Sequence, residues 1–350
     1  MSEKVLTVIV PSYNMEDYLD RGLSSLVVDE GRMRLLEVLV INDGSTDRTS
    51  EIGHAFETRY PDTFRVIDKK NGHYGSCVNR GLEEARGTFV KVLDADDWFG
   101  EAFAGYLDFL QETGAGLVLT DSVMIGLDGN AFSGTSFPLP PRQDLPIDIL
   151  REKSVRGLGH VNITYRTDIL RKMGYRQTEG ISYTDLEWSS LPVCGVSTVA
   201  YYPEILYCYQ QGRAGQSVDI AYRKDHMWME NQVVLGLAGK YEALKDGIPT
   251  ANAAELRSIV TSFARQIYFH YLLNYPKYLP ESDLTEFDRA LAQASQEIYD
   301  LAADAEDVNV FGTIHFVRDY RKRGTRKQLS FFYYDACRTL GTLYERIKQK

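Results

Sequence analysis

The sequence predicts an α/β protein in which a mostly parallel sheet carries helices on both faces and is followed by a helical C-terminal region. Short apolar runs alternate with helical segments over residues 1–125, and this alternation is typical of a parallel sheet covered on both sides. Residues from about 221 onward are predicted to be mostly helical. A stretch at 126–146, rich in Pro, Gly and Ser, reads as a long loop between the two patterns.

Each element of the first part has its own signal. The apolar or β-branched runs predict strands at 5–10, 37–42, 64–68, 89–93 and 116–125. Helices are predicted between them at 18–27, after a cap at Ser45 or Thr46, at 76–85 and at 102–113. Ligands of such sheets bind outside the carboxyl ends of the strands. The candidate binding loops are therefore 11–14, 42–47, 69–75 and 94–97, which are rich in Asp, Asn, Gly, Ser and Tyr.

Composition indicates an ordinary globular protein, with 44% hydrophobic and 25% charged residues. No apolar run approaches the roughly 20 residues that span a bilayer, and no signal-peptide pattern is visible at the start. We therefore expect the protein in the cytoplasm. A reduced compartment also suits the four scattered cysteines, which form no CxxC pair: Cys77, Cys194, Cys208 and Cys337.

Charge is distributed unevenly along the chain. The formal net charge of −10 argues against nucleic acid as a partner. Residues 318–350, however, hold ten Lys or Arg against three Asp or Glu, interleaved with aromatic side chains. This composition leaves two alternatives for the tail. Either the tail contacts an anionic membrane peripherally, on the inner face of the plasma membrane, or it is a solvated terminal helix with a packed aromatic face.

Three carboxylates, Asp94, Asp96 and Asp97, follow the predicted strand 89–93. Carboxylates this close repel one another, and a hard divalent cation bound with substrate phosphates would relieve that repulsion. The alternative is a set of acidic caps at a helix N-terminus. An EF-hand is excluded, because Trp98 and Phe99 stand where its loop needs an oxygen ligand and a glycine.

The loop motifs together resemble the family 2 glycosyltransferases, which have the GT-A fold. The motifs are PSYN (11–14), NDGSTD (42–47), KNGHYGSCVNRGLEEARG (70–87) and VLDADDW (92–98). The resemblance is strong over residues 4–125 and looser to Val218. It implies a cytoplasmic enzyme that moves one sugar from a nucleotide-sugar, typically a UDP-sugar, with inversion at the transferred carbon.

The resemblance also implies roles for residues of the donor site. Asp43 would hydrogen-bond the base, and Asp94 would contact the ribose or the sugar. Asp96 would bind Mn²⁺ or Mg²⁺ beside the diphosphate, whereas Asp97 is expected to cap the following helix. The remaining donor residues shape the base pocket or let the backbone pass close to the nucleotide: Pro11, Tyr13, Asn71 and Gly72.

The catalytic base is expected in GISYTDLEW, which resembles the family's Glu-Asp motif. Asp185 aligns with the catalytic aspartate, and Thr184 stands where the family usually has Glu. Glu187 is the alternative base or a support for Asp185, and both acids could instead be caps of a helix that begins near Thr184. Arg213 matches a loop that can stabilise the leaving diphosphate. His160 lies in a segment expected on the acceptor side.

We divide the chain accordingly into a nucleotide-sugar-binding half at 1–125, an acceptor and catalytic-base half at 126–220, and a helical region at 221–350. The expected acceptor is a saccharide or a lipid-linked oligosaccharide in polysaccharide biosynthesis. One alternative is a non-catalytic nucleotide-sugar-binding or assembly subunit, which the altered Thr184–Asp185 pair would allow. A nucleotidyltransferase is disfavoured, because no Gly-rich loop with Arg and Lys follows the first strand.

Overall fold

The computed structural model describes residues 4–213, 215–304, 307–309 and 312–325, and the predicted α/β fold is confirmed. It forms two compact units. The first contains the chain up to Asp219 together with Pro249–Glu255. The second contains Ile220–Ile248 and the described residues from Leu256 onward.

A ten-stranded sheet forms the centre of the first unit. Its strands are β1 (Leu6–Ser12), β2 (Leu36–Asn42), β3 (Phe64–Asp68), β4 (Phe89–Val92), β5 (Trp98–Phe99), β6 (Leu117–Ile125), β7 (Ala131–Thr135), β8 (Leu145–Pro146), β9 (Ile163–Arg166) and β10 (Thr198–Gln210). The order across the sheet is β3-β2-β1-β4-β9-β6-β10-β5, with β7 on β6 and β8 on β10.

The central parallel strands β1 and β2 are mostly apolar. β1 pairs in parallel with both β2 and β4, and β2 pairs in parallel with β3. Every residue of β2 is buried, and β1 is buried at all but one position. Since parallel strands are covered by helices on both faces, they need apolar side chains in both directions. Their carboxyl ends therefore lie together at one edge of the sheet.

Helices of the first unit connect these strands. They are α1 (Leu19–Ser24), α2 (Glu30–Met33), α3 (Thr49–Arg59), α4 (His73–Glu84), α5 (Phe103–Glu112), α6 (Ile149–Glu152), α7 (Thr167–Lys172) and α8 (Asp185–Ser190). Two 3₁₀ turns, His160–Asn162 and Leu191–Gly195, complete the connections. α3 begins later than its predicted cap, because Asp47 Oδ1 accepts the Thr49 N–H at 3.0 Å.

The stretch predicted as a long loop contains an edge strand. β7 pairs with β6 in an antiparallel hairpin, and four of its five residues are exposed. An exposed edge strand needs no alternating apolar pattern, so its composition resembles that of a loop. β9 inserts between β4 and β6 and is antiparallel to both. Residues on either side of position 125 therefore belong to one sheet, and the division of the chain into three functional regions stays a prediction.

The second unit is helical apart from one short hairpin. Its described helices and strands are α9 (Ile220–Leu244), α10 (Thr250–Phe269), α11 (Glu281–Ala294), α12 (Gln296–Asp304), β11 (Asp307–Asn309), β12 (Gly312–Ile314) and α13 (Phe316–Arg323). The first residues of α10, up to Glu255, belong to the first unit. A π-helical turn, His270–Asn274, follows α10. Within the described ranges, we find no helix that is both long and apolar enough to cross a bilayer.

Two sequence predictions fall partly outside the described residues. Most of the basic aromatic tail, residues 326–350, lies there, and so does Cys337. The other three cysteines, Cys77, Cys194 and Cys208, are buried free thiols.

A close backbone contact at Gly75 leads to the first testable prediction. A Cβ atom at this position of α4 would lie 2.0 Å from the carbonyl oxygen of Thr178. We expect Gly75→Ala to reduce the free energy of unfolding by about 1–3 kcal/mol, the usual cost of overpacking. Urea denaturation measures this change. Gly114→Ala is the control, because its Cβ would meet only ordinary contacts, the nearest at 3.4 Å. Equal stability of the two variants would contradict the prediction.

Candidate functional site

The residue after β2, Asp43, lies in a buried polar cluster. The residue is buried, with 3% of its surface exposed. Oδ1 accepts the backbone N–H of Gly72 at 3.0 Å and forms an ion pair with Lys69. Lys69 Nζ also donates to Ser76 Oγ at 2.7 Å. Asp43 therefore fixes the loop between β3 and α4 as well as the end of β2.

The other residues predicted for the base pocket lie at the end of β1 and in the loop between β3 and α4. Pro11 is the sixth residue of β1, where it pairs with Ile41. Tyr13 follows β1 and is half exposed, so its ring is available to a ligand. Asn71 is exposed, and its backbone nitrogen lies 3.1 Å from the position of a Cβ built on Gly44. An exposed aromatic ring and a buried carboxylate that follow two paired strands suit a planar heterocycle.

Asp94, which follows β4, is the centre of a second set of contacts. Tyr74 Oη donates to its Oδ1 at 3.1 Å, and His160 Nε2 lies 3.0 Å from its Oδ2. Burial opposes ionisation of this carboxyl, but His160, Tyr74 and the charge of Arg213 outweigh burial and hold the pKa of Asp94 below its usual value. Asp94 is therefore an ionised acceptor at neutral pH.

Asp96 is held by the loop that follows β10. Arg213 Nε donates to Asp96 Oδ2 at 2.6 Å, and Gln216 Nε2 lies 3.3 Å from the same oxygen. The loop reaches this position through two glycines with positive φ, Gly212 at 100° and Gly215 at 79°. The acidic position expected to bind a metal and the arginine expected beside the diphosphate are thus direct neighbours.

Asp97 is part of the interior. Its side chain is fully buried and accepts hydrogen bonds from Tyr207 Oη at 2.8 Å and from the backbone N–H of Gln210 at 2.7 Å. Burial, followed by the charges of Asp96 and Asp94, raises the pKa of Asp97 well above its usual value. These contacts join the Asp94–Asp97 turn to β10, which is a structural role.

The two candidate bases have different surroundings. Asp185 is the first residue of α8, its side chain is about one third exposed, and its Oδ2 lies 3.6 Å from His160 Nδ1. Glu187 is 2% exposed. Its Oε2 accepts the Thr178 N–H at 2.6 Å, and its Oε1 accepts the Thr178 hydroxyl at 3.0 Å. Geometry favours Asp185 as the base, because the oxygens of Glu187 are buried and hold the 178 segment.

One helix brings the separate carboxylates into a single site. Ser76, on α4, contacts Lys69 beside Asp43, and Tyr74 on the same helix contacts Asp94. His160 then lies between Asp94 and Asp185. The donor-side acids and the candidate base are therefore linked through named contacts at the carboxyl edge of the sheet.

A divalent cation fits this site through Asp96 with help from a substrate. Across the described ranges, no three His, Cys, Asp or Glu side chains form a ready-made metal site. Oδ2 of Asp96 is engaged by Arg213 and Gln216, and its Oδ1 makes no hydrogen bond to any residue that the structure describes. Mg²⁺ is commonly held by one or two carboxylates plus substrate phosphates. The donor set therefore suits a hard cation that arrives with a diphosphate.

Some contacts of the site were not predicted from the sequence. Arg21, on α1, donates to the backbone oxygen of Asp96 at 2.9 Å, and its guanidinium lies 3.7 Å from the centre of the Trp98 ring. Lys69 lies directly after β3, in the candidate binding loop 69–75. Its place in that loop is the one sequence feature that could have identified it as a site residue. Nothing in the sequence near Arg21 or Gln216 indicates their partners, which are more than 70 residues away.

Comparison with known proteins finds similarity to glycosyltransferases. Residues 7–174 match the model of glycosyl transferase family 2. The uncharacterized glycosyltransferase YibD of Escherichia coli K12 is 29% identical over 226 residues, which cover 59% of this chain and 62% of that protein. The minor teichoic acid biosynthesis protein GgaB of Bacillus subtilis 168 is 32% identical over 107 residues, which cover 30% of this chain and 12% of GgaB.

A solved structure of similar fold covers more of the chain. The crystal structure of S. aureus TarS 1–349 in complex with UDP-GlcNAc has a TM-score of 0.62 and 18% identity, covering 92% of each chain. The segments matched in the first curated relatives span only about a third of their length. The predicted GT-A fold is confirmed by the solved structure, and residues 7–174, a little under half of this chain, are similar to glycosyl transferase family 2.

Proposed function

We propose that this protein transfers one sugar from a UDP-sugar to a saccharide or lipid-linked acceptor, with inversion at the transferred carbon. The observation that carries the proposal is a set of carboxylates at the carboxyl edge of the sheet. Asp43, Asp94 and Asp185 are linked through Lys69, helix α4 and His160, and Asp96 is paired with Arg213. In an open α/β sheet this edge is the usual place for a ligand. Four acids gathered at one edge of a sheet are otherwise a costly arrangement for a protein.

The donor is assigned by chemistry along the strand ends. Asp43 and the exposed Tyr13 offer a carboxylate acceptor and an aromatic face to a uracil ring. Asp94, held ionised by its neighbours, offers an acceptor for ribose or sugar hydroxyls. Arg213, beside Asp96, offers a guanidinium that pairs with phosphate oxygens. The UDP-GlcNAc in the TarS complex supports a UDP-sugar as the donor class.

The transfer step follows from the position of Asp185. Its carboxylate accepts the proton of the acceptor hydroxyl as that oxygen forms a bond to the anomeric carbon of the sugar. The bond from the anomeric carbon to the diphosphate breaks, and the electron pair leaves with UDP. Attack on the face opposite the leaving group inverts the configuration. Arg213 stabilises the negative charge that develops on the diphosphate.

Asp96 is the residue that we propose to hold Mn²⁺ or Mg²⁺ against the diphosphate. A bound cation there would neutralise phosphate charge and favour departure of UDP. The polypeptide itself keeps Asp96 in place, through Arg213 and Gln216 on one side and through Arg21 at the backbone on the other.

The acceptor class is proposed from the relatives and from charge. GgaB is named for minor teichoic acid biosynthesis, which supports a bacterial surface polymer or its precursor as the acceptor. The basic residues at 318–350 would suit work at an anionic membrane face. Together these features favour a cytoplasmic enzyme of polysaccharide biosynthesis with a peripheral membrane contact.

Calorimetric titration tests the donor assignment. The protein is titrated with UDP, UDP-GlcNAc and other UDP-sugars in the presence of Mn²⁺ or of EDTA, with GDP and dTDP as matched nucleotide controls. We expect UDP to bind in Mn²⁺ and to bind at least about tenfold more weakly in EDTA, a difference of roughly 1.4 kcal/mol. Absence of binding by every uridine nucleotide would refute the proposed donor, and binding without turnover would favour the non-catalytic alternative.

A further inference from the structure

His160 occupies a position that the transfer mechanism above does not use. Its Nε2 lies 3.0 Å from Asp94 Oδ2, and its Nδ1 lies 3.6 Å from Asp185 Oδ2. One imidazole therefore faces a carboxylate of the donor side with one nitrogen and the candidate base with the other. The three residues are far apart in sequence and are supplied by the end of β4, a 3₁₀ turn and the first turn of α8.

The turn that carries His160 is anchored by buried polar contacts. Lys91, fully buried on β4, donates to the carbonyl oxygens of Val161 at 2.7 Å and Ile163 at 3.2 Å. Asn162 Nδ2 donates to the carbonyl of Thr120 at 2.8 Å and to Ser122 Oγ at 3.0 Å. Burying a lysine is costly, as the lowering of the Lys91 pKa to about 7 by desolvation indicates. Buried polar groups that are energetically costly to place in the interior therefore fix the main chain next to His160.

The charges around His160 favour its protonated form. Burial of the ring lowers its pKa, but the charge and hydrogen bond of Asp94 and the charge of Asp185 outweigh burial and the repulsion by Lys91, so the pKa of His160 lies above its ordinary value. The ring of Tyr207 is the other neighbour, edge-on with ring centres 6.4 Å apart. A protonated imidazole has an N–H on both sides, so it can donate to Asp94 and face Asp185 as a cation.

We propose that His160 is a positioning residue for sugar transfer, which bridges Asp94 and Asp185 and holds the two carboxylates in a fixed relative position. This inference rests on the proposed function. Two carboxylates that must both be charged repel each other, and a cation between them removes that penalty. The bridge also joins the donor contact to the base, so that the base is oriented toward the bound sugar before the acceptor arrives.

The test compares His160→Gln with His54→Gln. His54 is a suitable control, because it also lies between two carboxylates, Glu57 at 2.8 Å and Asp68 at 2.9 Å, but on the exposed helix α3. UDP release from UDP-GlcNAc, with water as the acceptor, gives kcat without a known saccharide acceptor. We expect His160→Gln to lower kcat about tenfold and to move the acid limb of its pH profile upward by about one unit, the effect of losing a neighbouring cation. His54→Gln should change neither.

A double-mutant comparison separates positioning from a general structural effect. In an Asp185→Asn background, His160→Gln should change the residual rate by less than about twofold, since residues that act as a unit are not additive. An equal loss in both backgrounds, with an unshifted pH profile, would overturn the proposal. If the unmodified protein neither bound UDP nor released UDP from UDP-GlcNAc, the proposed function itself would be refuted instead.

A second measurement needs no variant at His160 and no turnover. NMR titration of the His160 ring in the unmodified protein and in Asp185→Asn reports the bridge directly. We expect the pKa of His160 to fall by roughly half a unit or more when the Asp185 charge is removed. An unchanged pKa of His160 would show that the two side chains do not interact and would also overturn the proposal.

Discussion

Replacing Asp185 by asparagine is expected to reduce sugar transfer by about 10²–10⁴-fold, the usual contribution of a general base. Asparagine has nearly the same size but cannot accept the proton of an acceptor hydroxyl. UDP binding should stay within about twofold of the unmodified protein, because Asp185 is not among the residues assigned to the nucleotide. Transfer kinetics with a UDP-sugar, together with calorimetry for UDP, measure the two effects separately.

Glu187→Gln is the matched control two residues further along α8. Both Glu187 oxygens accept hydrogen bonds from Thr178, and an amide has only one acceptor oxygen to offer them. We expect a loss of about 1–3 kcal/mol in the free energy of unfolding, as for other unsatisfied buried groups, with kcat per folded molecule largely retained. If Glu187→Gln abolished turnover in a stable protein and Asp185→Asn did not, the assignment of the base would be reversed.

The fold was predictable from the sequence where strands are buried on both faces. β2 is an apolar run apart from Glu37 and its last residue, Asn42, and its start is predicted to within one residue. β7 was missed for the opposite reason, because an exposed edge strand places little constraint on its side chains. The predictable part of the fold is therefore the part in which burial dictates composition.

The candidate site was predictable only at the ends of those strands. Asp94 and Asp96 follow an apolar run directly, and topology alone brings them to the ligand edge. The contact of His160 with Asp94 joins residues 66 positions apart and depends on the insertion of β9 between β4 and β6. The buried state of Glu187 likewise depends on how Thr178 packs against α8. Neither contact has a local pattern that could reveal it.

Asp96→Asn is expected to remove the metal dependence of UDP binding. The carboxylate supplies a charged oxygen ligand, and an amide oxygen is a much weaker partner for a hard cation. Contacts to charged groups are worth about 1.5–3 kcal/mol, so affinity for UDP in Mn²⁺ should fall roughly 10–100-fold. In EDTA the variant and the unmodified protein should bind UDP with similar affinity. Calorimetry under the two conditions measures the difference.

Asp97 provides a control, because its variant shows whether the effect depends on the Asp96 carboxylate or on any carboxylate of the cluster. Asp97→Asn makes the same chemical change one residue away, at a carboxyl whose pKa is already raised by burial and by Asp96 and Asp94. Both oxygens of that carboxyl accept hydrogen bonds, from Tyr207 and Gln210, so the variant should lose stability as Glu187→Gln does, while its folded molecules should keep metal-dependent UDP binding. If Asp96→Asn weakened UDP binding equally in Mn²⁺ and in EDTA, Asp96 would act by orienting Arg213 toward the diphosphate rather than as a metal ligand. The donor site would then rely on the guanidinium for phosphate charge, and the carboxylate cluster would have its main role in ordering the loop after β10.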